Sequence, residues 1–274
     1  MNLTTHYLGL ELRNPLVASP SPLSQTLDGI RRLEAAGVGA VVLYSLFEEQ
    51  IERERAAFDR LMSAGTESFA EALTYMPSVA DGAGTSRRYL SLLERARTTV
   101  GIPVIGSLNG VTTAGWTEYA VAIEEAGASA IELNMYDVPG AAGVTGRDVE
   151  QRQVDVLGRV LDAVAIPVAV KMSPYLSSTG EMARRLDDAG ARGLVLFNRF
   201  MQPDIDPESL RVSARAELST AADQRLPLTW IALLHGRLNA SLAASGGVET
   251  AADVARYLLA GADVVMTTSA PASR

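Results

Sequence analysis

The chain has 274 residues, with 23 Arg but a single Lys, two His, no Cys and a formal net charge of −8. Its length is ample for a proper buried core, while the missing Cys excludes disulfides, thiolate zinc sites, cysteine-bound iron–sulfur clusters and a cysteine nucleophile. The acidic balance argues against wrapping nucleic acid, and no apolar run approaches the length of a membrane span. His6 and His235 are too few for a multi-histidine metal centre, so no metal is expected. The opening residues lack the basic start and apolar run of a secretory signal, and a cytoplasmic location is expected.

Short apolar runs alternate with segments of helical period. Pro15–Ala18 reads as a strand, Leu27–Ala36 as an amphipathic helix and Ala40–Tyr44 as the next strand. Ser45-Leu-Phe-Glu48 then fits a capping box that opens a charged helix from Glu48 to Met62, whose Glu/Arg-dense face is expected to be solvated. An excursion near 68–85 and a helix ending near Thr99 lead to the strand Pro103–Ser107. The pattern continues with helix Trp116–Ala126, strand Ala130–Asn134, helix Gln151–Ala163 and strand Pro167–Lys171. Ser178 to Glu181 fits a second capping box, for the helix Glu181–Ala189, and Gly193–Phe197 is the sixth strand. After a long stretch, 199–239, come strand Ala240–Ala244, helix Ala251–Leu259 capped by Thr250, and strand Asp263–Thr267.

Eight such strands, apolar enough to be buried on both faces and separated by helices, read as parallel βα units. Ala-Gly closes four helices, at Ala36-Gly37, Ala126-Gly127, Ala189-Gly190 and Ala260-Gly261, where glycine allows a short left-handed exit. A repeat supports a closed barrel: Ile102-Pro103-Val104 recurs as Ile166-Pro167-Val168, and Asn134 recurs as Asn198, each 64 positions on. A doubly wound open sheet is the rival, but Ser19-Pro-Ser-Pro22 after the first strand lacks its glycine fingerprint. The expected fold is therefore α/β, a (β/α)8 TIM barrel forming a single domain over 1–274. Only a few residues follow Thr267, so the final helix is expected to be missing. The outer faces of the last and first strands would then be bare or covered by another subunit, and a homo-oligomer is expected.

Barrel chemistry sits at the C-terminal ends of the strands. Those ends carry Ser19, Tyr44-Ser45, Ser107-Leu-Asn109, Asn134, Lys171, Asn198, Ser245-Gly246-Gly247 and Thr267-Thr268-Ser269. Codon bias toward Arg explains why Lys is rare, yet Lys171 follows the run Ile-Pro-Val-Ala-Val and is placed to point into the barrel mouth. Gly246-Gly247 before the helix at Thr250 suits a phosphate clamp, with Thr268 and Ser269 as its opposite wall. A phosphate clamp at one side, a cation at the other and amides between them suit a phosphorylated ligand whose far end becomes anionic. FMN is such a ligand.

The phrases Asn14-Pro-Leu-Val-Ala-Ser19, Ile131-Glu-Leu-Asn134, Val170-Lys-Met-Ser-Pro-Tyr175, Ser245-Gly-Gly-Val-Glu-Thr250 and Gly261-Ala-Asp263, in this order, resemble the dihydroorotate dehydrogenase family. Ser45-Leu-Phe-Glu-Glu-Gln50, Phe197-Asn-Arg-Phe200 and Gln202-Pro-Asp-Ile-Asp206 resemble its divergent dihydroorotate dehydrogenase-like branch. The resemblance implies an FMN-dependent oxidoreductase that passes hydride between a small CH–CH substrate and flavin N5. It implies that Lys171 contacts the flavin ring, Asn134 touches flavin and substrate, Asn198 binds substrate, Ser19 and Ser45 line the flavin, and Gly246, Gly247, Thr268 and Ser269 hold phosphate.

Two departures stand against that pattern. Tyr44 replaces a family Lys at the end of the second strand. In the loop after the fourth strand, the family's Asn-x-Ser-Cys/Ser-Pro-Asn becomes Asn134-Met-Tyr-Asp-Val-Pro139, which puts Asp137 at the position of the base and Pro139 in place of a substrate-binding Asn. An ionised Asp137 would repel an anionic substrate unless its pKa were raised. Two alternatives follow: a barrel that binds FMN or another phosphorylated ligand without turnover, and a non-flavin phosphate-binding lyase or isomerase. Without Cys the chain carries no iron–sulfur relay of its own, so an electron-transfer partner would be a separate protein.

Overall fold

The computed structural model describes residues 2–54, 56, 84–110, 113–135, 140–199, 204–213 and 219–268. Eight parallel strands form the barrel: β1 (Leu16–Ala18), β2 (Ala40–Val42), β3 (Val104–Asn109), β4 (Ala130–Asn134), β5 (Val168–Met172), β6 (Gly193–Leu196), β7 (Ser241–Ser245) and β8 (Val264–Thr267). Each pairs with the next, and β8 pairs with β1, so the sheet closes. Among the described residues, the connections after the first seven strands carry helices α1 (Leu27–Ala35), α2 (Thr85–Thr99), α3 (Thr113–Glu125), α4 (Gly146–Ala163), α5 (Thr179–Asp188), α6 (Arg225–Leu234) and α7 (Ala251–Ala260), with a further helical segment starting at residue 48 between β2 and α2. The expected TIM barrel is the fold observed. The expectation of a missing final helix concerns residues outside the described ones.

Local chemistry sets the boundaries. Gly37, Gly127, Gly190 and Gly261 all take positive φ, the left-handed exits read from the Ala-Gly phrases. Ser178 and Thr250 cap α5 and α7 by accepting from the backbone N–H of Glu181 and Asp253. Ser45 is different. The chain after β2 first forms a two-residue strand, Leu46–Phe47, paired with β3, and helix begins only at residue 48. The Ser45 hydroxyl is therefore not a cap; it bonds Ser107 Oγ across the barrel rim.

Barrel closure sends alternate residues of each strand inward. Val17, Ala40, Val42, Ile105, Ala130, Ala169, Val195, Ala243, Val264 and Met266 form that inner cluster, while a larger one lies between strands and helices. The inner cluster includes Tyr7, Leu8 and Leu12 from an N-terminal antiparallel hairpin, Thr5–Tyr7 with Leu10–Leu12. Leu8 N–H donates to Ser241 Oγ and Thr5 Oγ1 donates to the Asp263 carbonyl, which places the hairpin under the N-terminal ends of the strands. The hairpin is thus the floor of the barrel and leaves the opposite end as its mouth.

The floor fits because Gly193, the first residue of β6, has no side chain: a Cβ there would lie 2.5 Å from Leu8 Cδ2 and 3.3 Å from Tyr7 Cε2. Gly193→Val is expected to push against the fully packed hairpin and destabilise the protein by roughly 1–3 kcal/mol, read as a lower urea midpoint.

Candidate functional site

The inward parity that fills the barrel with Ala and Val lower down delivers polar side chains at the mouth. On β4 the inward series is Ala130, Glu132, Asn134; on β5 it is Ala169, Lys171. Asn134 and Lys171 are register partners, so the amide and the ammonium stand side by side. Lys171 is almost wholly buried, with 8% of its surface exposed, and its Nζ lies 3.6 Å from Glu132 Oε1.

A belt of hydrogen bonds links the neighbouring strand ends. Ser107 Oγ on β3 pairs with Ser45 Oγ at 2.9 Å, and Ser45 Oγ accepts from Asn134 Nδ2 at 3.4 Å. Asn134 Oδ1 in turn accepts from Nδ2 of Asn198, which follows β6. The two Asn residues related by the 64-residue repeat therefore meet directly, over the strand that carries Lys171. Tyr44 leans edge-on against Tyr89, with ring centroids 5.0 Å apart. Tyr89 is fixed beneath the belt: its hydroxyl accepts from Ser107 N–H at 2.7 Å and donates to the Ser107 carbonyl. Burial pushes the phenols of both Tyr44 and Tyr89 above the ordinary tyrosine range.

The opposite side of the mouth is the turn between β7 and α7. Gly246 and Gly247 both have positive φ, and a Cβ on Gly246 would meet nothing within 4 Å, so this backbone faces open space. Gly247 is enclosed instead, its N–H donating to Ser219 Oγ at 3.0 Å. Only Gly246 of the pair thus opens onto space, while the Gly247 donor is already engaged within the fold. Tyr257 Oη donates to the Gly246 carbonyl at 2.8 Å and pins the turn to α7. Ser19 is buried after β1 and its N–H donates to the Thr267 carbonyl; Thr268 follows β8. Asp137 and Ser269 lie outside the described residues, as does Pro139.

Among the described residues there is no group of three or more His, Asp or Glu able to hold a metal, and no helix long and apolar enough to cross a membrane. Ser107 is among the strand-end residues expected from the sequence, whereas Tyr89, Ser219 and Glu132 are not. Ser107 and Glu132 carried a signal, since each is a polar residue at inward parity in a strand buried on both faces. Ser219 carried none.

A closed parallel barrel whose mouth holds a buried ammonium, paired amides and an open glycine turn has the layout of a barrel enzyme for an anionic or phosphorylated ligand. The chain belongs to the dihydroorotate dehydrogenase family, whose model matches residues 2–272. It is 29% identical over 277 residues to the dihydroorotate dehydrogenase B (NAD(+)) catalytic subunit of Methanocella arvoryzae, covering 98% of this chain and 87% of that one. It is also 29% identical over 170 residues to the protein of the same description from Shouchella clausii, covering 60% of this chain and 56% of the relative. This second match spans little more than half of the relative's length. A dihydroorotate dehydrogenase of Eimeria tenella, solved in complex with ferulenol, shares the fold with a TM-score of 0.63 at 16% identity, over 98% of this chain and 79% of that one.

The glycine turn depends on Asp253, whose Oδ2 accepts from Thr250 Oγ1 and from the N–H groups of Thr250 and Glu249. The Thr250 hydroxyl, chiefly, holds the Asp253 carboxyl below its ordinary value, helped by the two backbone N–H groups and Arg256. A depressed folded-state pKa gives stability that is present above the unfolded Asp range and lost as pH falls through the folded value. Asp253→Asn is therefore expected to be less stable than the wild type at pH 7, and the gap should narrow below about pH 4, in urea melts at both pH values.

Proposed function

We propose that the chain is an FMN-dependent oxidoreductase that moves a hydride between a small CH–CH substrate and the flavin. The observation that carries this reading is the placement of the only lysine at the mouth end of β5, beside Asn134, which the β6-side Asn198 bonds. Family membership supports it, because the relatives are described as dihydroorotate dehydrogenases.

The residues present fit FMN by the chemistry of their donors. Gly246 offers backbone facing open space for a phosphate, with Thr268 and Ser269 after β8 as the second wall. Gly247 adds its N–H only if Ser219 yields it. Lys171, Asn134, Ser45 and Ser19 supply polar groups for the ring, and Asn134 and Asn198 for the substrate. The chemistry FMN supplies when bound is acceptance of a hydride at N5, with negative charge developing over N1 and O2. Lys171 would meet that charge with a cation already held in a buried position, so little reorganisation would be needed. The hydrogen bond between Asn198 Nδ2 and Asn134 Oδ1 orients both amides; it leaves Asn134 Nδ2 pointing to Ser45 and the second Asn198 N–H for a ligand. Asp137 is assigned as the base by its place in the sequence, taking the proton that leaves as the hydride departs.

The substrate need not be dihydroorotate. Pro139 stands where the resembling family pattern has a substrate-binding Asn, and Asp137 brings negative charge where that pattern has Cys or Ser. These two positions also favour the second reading, a barrel that binds FMN without turnover. An electron-transfer partner, as a separate chain, belongs to the proposal because this one has no Cys for its own iron–sulfur relay.

Purified full-length protein mixed with FMN is expected to give a perturbed flavin absorbance that survives gel filtration. Anaerobic addition of dihydroorotate, or of a panel of cyclic unsaturated or hydrogenated carboxylic acids, should bleach it for the true substrate class. Absence of any flavin uptake sinks the proposal, and uptake without bleaching by any member favours the binding-only reading. Lys171→Met is expected to weaken FMN binding by about tenfold, as for loss of one charged hydrogen-bonding partner. Asp137→Asn is expected to keep FMN bound and to slow bleaching by about 100-fold or more, measured by stopped-flow absorbance.

A further inference from the structure

We infer that Glu132 is the positioning residue for Lys171: a buried carboxylate that fixes the ammonium at the barrel mouth and sets how much positive charge reaches a bound flavin. The inference rests on the reading of Lys171 as the flavin-facing cation. Glu132 lies on β4 one inward step below Asn134, with 1% of its side chain exposed, and its Oε1 is 3.6 Å from Lys171 Nζ. Neither carboxylate oxygen accepts a hydrogen bond from any described residue. Its register partners are Ser107 and Ala169, both small, so the barrel leaves room at this depth for one long side chain.

The surroundings give this carboxylate little else to do. The inner cluster about it is apolar, including Ile105, Ala130, Ala169 and Val195. Two further titratable groups face it. Tyr7 rises from the floor hairpin with its own hydroxyl unpartnered, and burial first, then the Glu132 and Asp263 charges, push its phenol well above the ordinary range. Tyr89 comes from α2 with its hydroxyl already engaged by Ser107. A buried carboxylate without hydrogen bonds is costly, and a residue serving packing alone would be apolar here, as its neighbours are. Lys171 is the cation that offsets it. The pair is therefore close to neutral as seen from below, and the ammonium is held on a short tether rather than left to wander on a four-carbon stem.

This predicts a sign. With Glu132 neutralised, the mouth becomes more positive and the reduced, negatively charged flavin is favoured. In FMN-loaded full-length protein, Glu132→Gln is expected to shift the flavin equilibrium at least tenfold toward the reduced form. That is about 30 mV more positive for a two-electron couple. Glu132→Asp keeps the charge and should stay within about threefold of the wild type. In FMN-free protein, urea midpoints are compared for the wild type, Glu132→Gln, Lys171→Met and the double variant. Each single change strands a buried partner and should lower the midpoint; the double variant should lose clearly less than the sum. Additive midpoints overturn the pairing, and so does a Glu132→Gln potential equal to the wild type or matched by Glu132→Asp. If Glu132→Gln does not fold, recovery of folding in the double variant supports the pair and its failure overturns it. Should the chain take up no FMN, the oxidoreductase proposal falls, while the urea cycle alone still decides whether Glu132 holds Lys171.

Discussion

Closure of the parallel sheet is the constraint on which everything else depends. Once β8 pairs with β1, every second residue of eight strands is committed to one narrow interior, and nothing there reaches water except through the mouth. The chain meets this by grading its side chains along the barrel axis. The hairpin with Tyr7, Leu8 and Leu12 stops the lower end, a layer dominated by Ala, Val and Ile fills the middle, and Ser, Asn and Lys emerge at the top. Polar residues can sit at that height because they find partners across the mouth, which is what the Ser107–Ser45–Asn134–Asn198 belt supplies.

The same constraint explains why a chain with 23 Arg places its one Lys inside. A guanidinium is planar and carries five donors in a fixed fork, and a barrel interior lined by Ala and Val offers it almost nothing to bond. An ammonium is compact and can stand above one carboxylate with its remaining donors facing the opening. Arg serves well on helix surfaces, as Arg256 does against Asp253 on α7. Codon bias accounts for the scarcity of Lys across the chain. Geometry accounts for where the exception falls.

Much of this was legible in the sequence, and for physical reasons. Strands buried on both faces are nearly continuous apolar runs, so all eight barrel strands could be read to within two residues at either end. The Ala-Gly exits were legible because only glycine takes those positive φ values cheaply. The floor hairpin was not: Thr5–Tyr7 and Leu10–Leu12 are three residues each, and their inward residues are recognisable only once there is a barrel to plug. Ser45 was read as a helix cap or a flavin neighbour. The intervening Leu46–Phe47 pairing with β3 decided against the cap by delaying the helix to residue 48. Glu132 lies within the phrase Ile131–Asn134, of which the resemblance gives a role to Asn134 alone. Counting parity along β4 would have put both on the same inward face, since they are two residues apart.

The two halves of the site rest on unlike foundations. Lys171, Asn134, Ser19 and the Gly246 turn are strand ends or residues bonded to strand ends, so their places follow from the register of the barrel itself. Of the positions that depart from the resembling pattern, Asp137 and Pro139 belong to the connection after β4, while Tyr44 lies just after β2, against Tyr89. A change in a strand end disturbs neighbours on both sides and the packing beneath. A change in a connection leaves the register untouched. Divergence in a connection therefore costs such a barrel less than divergence at a strand end. The ammonium, its buried carboxylate and the amide pair all sit on or beside strand ends, so the residues after β4 can change without disturbing the register that holds them.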